Sequence, residues 1–167
     1  VTTSTPRSVT TPSATDFEVY RRELTAHCYR LLGSGSEAED AVQETMLRAW
    51  QSADRFEGRS SVRTWLYRIA TNVCIDMGRS PQRRARPVDL GPARTPEAVH
   101  LTDVLPAGSW ITPIPDAAVI DLHADPADVA AARDTIRLAF VAALQRLPAR
   151  QRAAIVLCDV LRWSAAE

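Results

Sequence analysis

The sequence contains no lysine: all 20 of its basic residues are arginine, set against 20 acids for a formal net charge of zero. That balance excludes any partner assignment from global charge. The exclusive use of Arg supplies planar, forked donors that match phosphates and base edges better than an ammonium group does. Cysteine is scarce. Cys28, Cys74 and Cys158 lie in apolar helical patterns without CxxC spacing, which argues against a disulfide framework or a zinc site. They are expected to be small core residues of a reduced, cytosolic protein. Long apolar runs are missing, since nothing approaches the ~20 residues of a membrane span. The amino-terminal stretch is rich in Ser, Thr and Pro but has no apolar signal core, so nothing indicates secretion. No GxSxG, P-loop or HExxH string appears, so the chain is read as a non-enzyme that needs no cofactor and holds no metal. Its 167 residues suffice for one domain or two small ones.

What is present is segregated charge. Residues 55–86 carry eight Arg against Glu57 and Asp76, a local excess of +6. Residues 87–130 carry seven acids against Arg94, a local excess of −6. Neighbouring segments of opposite sign suggest different partners, or each other. The acidic segment also holds seven of the eleven prolines. Proline at that density blocks long helices and central strands. Yet Val104, Leu105, Trp110, Ile111, Ile114, Val119, Ile120 and Leu122 run through it. It is therefore expected to be an extended connector that docks onto something, with short helices within 97–105 and 116–122.

Elsewhere the periodicity is helical. Residues 1–14 read as a disordered tail. Thr15 to Glu18 forms a capping box, where hydroxyl and carboxylate satisfy orphan amides. Phe17, Tyr20, Leu24, Cys28 and Leu31 then recur at three- and four-residue spacing. His27 sits beside that stripe as a packed or half-exposed histidine. Gly33 and Gly35 are expected to stop this helix. Ser36 to Glu39 is a second capping box. It opens a helix with Ala38, Val42, Met46, Ala49 and Trp50 inward and Asp40, Gln43, Glu44 and Arg48 outward, running to about Ala53. A third helix, capped by Ser60 or Ser61, places Val62, Trp65 or Leu66, Ile69, Val73 and Met77 on one side and ends before Gly78. A basic tail, Arg79 to Arg86, follows. Asp125, with Pro126 behind it, starts a helix to Arg146, and Pro148 begins another to about Leu161. Ser164 to Glu167 is a third capping box with no helix after it, so the sequence looks cut short, because a single turn cannot stand alone.

The run 36–84 carries the function. An acidic amphipathic helix leads through a loop containing Phe56 and Gly58 into a helix rich in Arg and aromatics. Arginines that track phosphates and flat rings that stack unpaired bases are what single-stranded nucleic acid needs. The bland alternative makes Trp65 and Leu66 core and the arginines a solvated face.

At these residues a resemblance becomes specific. Ser36–Trp50 (SEAEDAVQETMLRAW) resembles the polymerase-binding helix of extracytoplasmic-function sigma factors. Phe56–Asp76 (FEGRSSVRTWLYRIATNVCID) resembles the same family's promoter-melting and minus-ten recognition segment. Leu147–Glu167 resembles the start of its minus-35-binding domain. With the helix before Ser36, the similarity covers about two-thirds of the chain. It implies an all-α protein of four parts: the tail 1–14; a compact three-helix sigma domain 2 over 15–86; an acidic linker over 87–125; and a partial sigma domain 4 over 126–167 that lacks the recognition helix. It further implies a factor that directs promoter-specific initiation. Asp40, Gln43, Glu44 and Arg48 would face the clamp helices of the largest subunit of core RNA polymerase. Phe56, Glu57, Gly58, Arg59 and Ser60 would trap a base flipped from the non-template strand of promoter DNA. Arg63, Thr64, Trp65, Arg68 and Asn72 would read or stack on the melted minus-ten strand. The linker would enter a polymerase groove built for nucleic acid. An anti-sigma protein is a further partner left open, and the location implied is cytoplasmic. Leu105–Asp116 (LPAGSWITPIPD) resembles a linker pattern of the subgroup with an extra SnoaL-like domain. The partial second domain is expected to expose an apolar face, poorly ordered unless polymerase or another protein holds it.

Two rival readings stand beside this one. Asp121, His123 and Asp125 alternate as potential metal ligands, with His100 upstream, but they lie in a Pro-rich connector without a visible second layer of support. A helical interaction module, an adaptor or anti-activator that never touches DNA, would use the acidic helix as its interface.

Overall fold

The structure, a computed structural model, describes residues 14–79, 111–145 and 147–164. The expectations for the tail 1–13, the basic stretch 80–86, the connector 87–110 with His100, and the box at 165–167 fall outside the described residues.

Every regular element among the described residues is helical, as the pattern predicts. A short α1 (Ala14–Glu18) leads into α2 (Arg21–Leu32), α3 (Gly35–Ser52) and α4 (Val62–Gly78). After the connector come α5 (Asp116–Val119), α6 (Pro126–Ile136), α7 (Leu138–Gln145) and α8 (Ala149–Ile155), the last running on as a π-helical stretch, Val156–Val160.

The boundaries show which local signals win. The first helix is not continuous: Glu18 forms two hydrogen bonds to Arg21 (2.6 and 2.7 Å), and the chain turns at Val19 and Tyr20. Gly33 ends α2 in the left-handed region (φ 71°), its N–H on Tyr29 O at 2.7 Å. The cap of α3 is Ser34, whose Oγ accepts from Glu37 N–H, two residues ahead of the expected box. Gly35 therefore opens α3 rather than stopping α2. Ser61 caps α4 by accepting from Thr64 N–H at 3.0 Å, and Gly78 lies inside that helix. Asp125 caps α6 through Ala127 N–H at 2.8 Å. The helix from Pro126 is interrupted at Arg137, which turns extended (ψ 137°) between α6 and α7.

Helix α2 occupies the middle of the molecule. All nine residues from Leu24 to Leu32 are buried, against one expected apolar face. Helices α3 and α4 cover one side, and α5, α7 and α6 cover the other. Val119, Ile120, Ile136, Val141, Leu144, Ala153 and Val156 join Leu24, Leu31, Leu66 and Val73 in one core cluster. The apolar face of the carboxy-terminal helices, expected to lie open, is thus covered by the chain's own first three long helices. Two arginines drawn into this arrangement find acceptors. Arg30 donates to Thr135 Oγ1 at 2.7 and 3.2 Å. Arg152 donates to the carbonyls of Leu31 and Leu147 and to Gln145. Arg152 thereby closes orphan carbonyls at helix ends.

The connector's final stretch docks on the end of α2. Thr112 N–H donates to Gly33 O at 3.1 Å, and Tyr29 Oη donates to Thr112 O at 3.0 Å. Its acids have partners within the chain: Asp116 pairs with Arg133 at 3.0 Å and Asp121 with Arg22 at 3.1 Å. Cys28 and Cys74 are buried as expected, whereas Cys158 is exposed. A hydrogen bond from the Cys74 thiol to Cys28, then burial, pushes the Cys74 thiol up.

Candidate nucleic-acid and polymerase interface

On α4, residues lie about 100° apart around the axis. The core side is set by Leu66, Ala70, Val73 and Cys74, all buried. Thr64, Trp65, Arg68 and Asn72 fall together on the other side, and Arg68 and Asn72 are exposed. Trp65 is half-buried, its ring 6.0 Å from Phe17 and 5.1 Å from Phe56. Trp65 therefore packs against Phe17 and Phe56 without being fully enclosed. Thr64 Oγ1 lies 2.9 Å from Ser61 Oγ, which anchors the first turn.

The loop ahead of this helix is held at one end. Phe56 packs against Trp65 at a tilt of 47° and closes the 3-10 turn Ala53–Arg55 with its N–H on Ala53 O at 3.0 Å. Glu57, Gly58, Arg59 and Ser60 are exposed. Gly58 adopts φ 65°, a left-handed conformation that a side chain would strain. Glu57 and Arg59 pair with each other.

Arg63 stands apart from the stripe it was grouped with. Seven and eleven residues before Ala70 and Cys74, it starts on their side of the helix and reaches toward α2. Its Nε lies 2.9 and 3.0 Å from the two Glu23 oxygens, with a terminal nitrogen at 2.8 Å. This bond raises the Arg63 pKa. The guanidinium also lies over Tyr67, 5.0 Å from the ring centroid, and over Trp163 at 5.6 Å. Burial, then the Glu23 charge, pushes the Tyr67 phenol up.

On α3, Asp40, Gln43 and Arg48 are exposed and Glu44 is half-buried. Arg48 pairs with Glu44 at 2.6 Å and approaches Asp76 of α4 at 3.7 Å. Trp50, expected inward, is 62% exposed, and Leu47 is exposed beside it. The inner face is made instead by Ala38, Ala41, Val42, Thr45 and Ala49. Small residues let α2 and α4 approach closely, and Thr45 satisfies its hydroxyl on Ala41 O at 2.7 Å. An indole would not fit that seam. Leu47 and Trp50 were missed as surface residues although their three-residue spacing, in register with Gln43, was visible.

The proposed metal cluster finds other employment. Asp121 Oδ1 accepts from His123 N–H at 3.2 Å and binds Arg22, and Asp125 caps α6. No group of three or more His, Cys, Asp or Glu side chains fit for a metal ion occurs among the described residues. No helix among them is long and apolar enough to cross a membrane.

Comparison with known proteins adds independent weight. The family model for sigma-70 region 2 matches residues 17–84, the stretch that holds α2, α3 and α4. The chain is 52% identical over 153 residues to the ECF RNA polymerase sigma factor SigG of Mycobacterium tuberculosis, covering 90% of this chain and 40% of that protein. It thus spans well under half the length of that relative. It is 46% identical over 59 residues to the ECF RNA polymerase sigma factor SigW of Bacillus subtilis, 35% of this chain and 32% of that one. Against the ECF RNA polymerase sigma factor SigL of Mycobacterium tuberculosis, identity is 30% over 152 residues, 90% of this chain and 71% of SigL. These names do not bear on the SnoaL-like subgroup. With an all-α fold, a matched region 2 and similarity that runs through both helical parts, the chain belongs to the ECF RNA polymerase sigma factors of the sigma-70 family.

Proposed function

We propose that this chain directs promoter-specific transcription initiation as a non-enzymatic, cytoplasmic binding factor. In this reading α3 docks on the clamp helices of the largest subunit of core RNA polymerase through Asp40, Gln43, Glu44 and Arg48. Leu47 and Trp50 would supply the apolar anchors that such helix docking uses. The loop Phe56–Ser60 and the outer stripe of α4, with Thr64, Trp65, Arg68 and Asn72, would engage the melted non-template minus-ten strand. An anti-sigma protein is a further partner of the same faces.

The observation that carries the reading is the exposed stripe of Arg68 and Asn72 beside the outer edge of Trp65, continued by Arg59 in an open loop. It offers cations for phosphates, a ring for stacking and an amide for a base edge.

Core polymerase mixed with the chain and a pre-melted promoter tests it. Asn72→Ala is expected to reduce initiation about five-fold or more, the effect of one lost hydrogen bond to a base, while polymerase binding is retained. Gln43→Ala and Arg48→Ala are expected to weaken polymerase binding first. Equal losses at both steps for all three variants would refute the division of labour. Strand binding that ignores salt would favour the interaction-module reading, because phosphate contacts release counterions.

A further inference from the structure

We infer that Tyr67 is a second stacking platform for the unpaired strand, and that Trp163 masks it. This rests on the strand-binding role proposed above for α4. The Trp163 ring lies 4.8 Å from the Tyr67 ring, inclined by 51°. Tyr67 also meets the His27 ring at 4.9 Å, inclined by 55°. Arg63 spans both aromatics from above while its guanidinium is held by Glu23. A bound nucleotide needs a flat ring to stack on and a cation for its phosphate. Tyr67 and Arg63 are that pair. In the folded chain an indole takes the place of the base and a carboxylate takes the place of the phosphate.

The way Trp163 is delivered favours a removable cover over a core residue. Tyr67 is 1% exposed, but Trp163 itself remains half-buried, at the outer end of the carboxy-terminal helices. The chain leaves the π-helical stretch Val156–Val160 through Arg162, which holds φ 58°. That is a left-handed conformation a non-glycine side chain rarely adopts. Trp163 N–H then reaches Leu157 O at 3.0 Å. A weakly wound helix end and an unfavourable turn together swing one ring onto Tyr67. Strand and cover compete for the same surface, so the closed chain binds more weakly than its exposed groups would allow, by the fraction of time the cover is off.

The test is fluorescence anisotropy of the 167-residue chain with a labelled single-stranded DNA of mixed sequence. Trp163→Ala is expected to tighten binding about five-fold or more, the low end of one base–aromatic stack. Adding Tyr67→Leu to that variant is expected to abolish the gain. Unchanged or weaker binding by a helical Trp163→Ala chain overturns the inference. Arg68→Ala separates it from the reading beneath: a loss with Arg68→Ala but no gain with Trp163→Ala overturns the cover alone. No loss with Arg68→Ala overturns the strand role of α4, and the cover with it. Should circular dichroism show that Trp163→Ala unfolds the carboxy-terminal helices, the wild-type chain labelled with 5-fluorotryptophan decides. Its Trp163 fluorine resonance, assigned with Trp163→Phe, is expected to move to a solvent-exposed position as DNA is added. A resonance unmoved at saturating DNA overturns the cover.

Discussion

His27 shows how one residue can tie the core to pH. Its ring is wholly buried, with Nε2 at 2.9 Å from Thr71 Oγ1. That hydroxyl already donates to Tyr67 O at 2.8 Å, so the ring must donate from Nε2, and Nδ1 faces no hydrogen-bond partner. Protonation would place a charge there without a partner. Burial first, then repulsion from Arg30, accordingly lowers its pKa to about 3. The unfolded chain takes up a proton near pH 6.5 and the folded chain does not. Stability from this residue is therefore complete above that pH and falls as pH drops toward about 3, at a slope of about 1.4 kcal/mol per pH unit. Urea unfolding of the wild type and His27→Leu at pH 7 and pH 5 is the check. Carboxylate contributions are shared, so the wild type is expected to lose more between the two conditions. Equal losses would mean that the ring titrates alike folded and unfolded. The same residue marks a limit of reading by pattern: its position beside the apolar stripe was visible, but its burial against Tyr67 and Thr71 of α4 was not.

At the level of the element, the cap of α4 links local sequence to the proposed strand site. Ser61 accepts from Thr64 N–H and sits against its hydroxyl, which fixes the turn that presents Trp65 and Arg68. Ser61→Ala is expected to cost about 1 kcal/mol, a fall of about 2–4 °C in Tm for a chain of this size. Hydrogen exchange should show the loss concentrated in the first turn of α4. An unchanged Tm with intact protection would show that the cap is dispensable. The expectation for this cap, Ser60 or Ser61, was legible because capping chemistry is local. The α3 cap was misplaced by two residues for an equally local reason: Ser34 and Ser36 both precede a Glu by three, and only Ser34 stands where the left-handed Gly33 turns the chain. Trp50 was misplaced because an apolar count favours large residues, whereas the seam between α2 and α4 selects small ones.

For the whole molecule, the point of interest is that the two helical parts share one core. Leu144 is buried among residues of both, and Arg152 joins the ends of α2 and α7. Leu144→Ala is expected to destabilise the chain by about 2–5 kcal/mol, and to lower hydrogen-exchange protection in α2 as well as in α7 and α8. Loss confined to the carboxy-terminal helices would show that they fold as an independent unit. The ion pairs across the surface, Arg22 with Asp121 and Arg133 with Asp116, are more than two-fifths exposed on each side chain and contribute little to this union.

The sequence by itself determined the helical class, the three long helices that match region 2, the outward placement of Asp40, Gln43, Arg48, Arg68 and Asn72, and the family. Each follows from spacing along one helix or from a contiguous string. Only the tertiary structure decided that α2 is buried on every side from Leu24 to Leu32, that Asp116 and Asp121 pair with Arg133 and Arg22, and that Arg63 turns away from Asn72 to lie between Glu23 and Trp163. Those facts depend on residues 40, 100 and more positions apart in the chain. Periodicity describes the faces of a helix one at a time and does not specify which distant side chain will cover them.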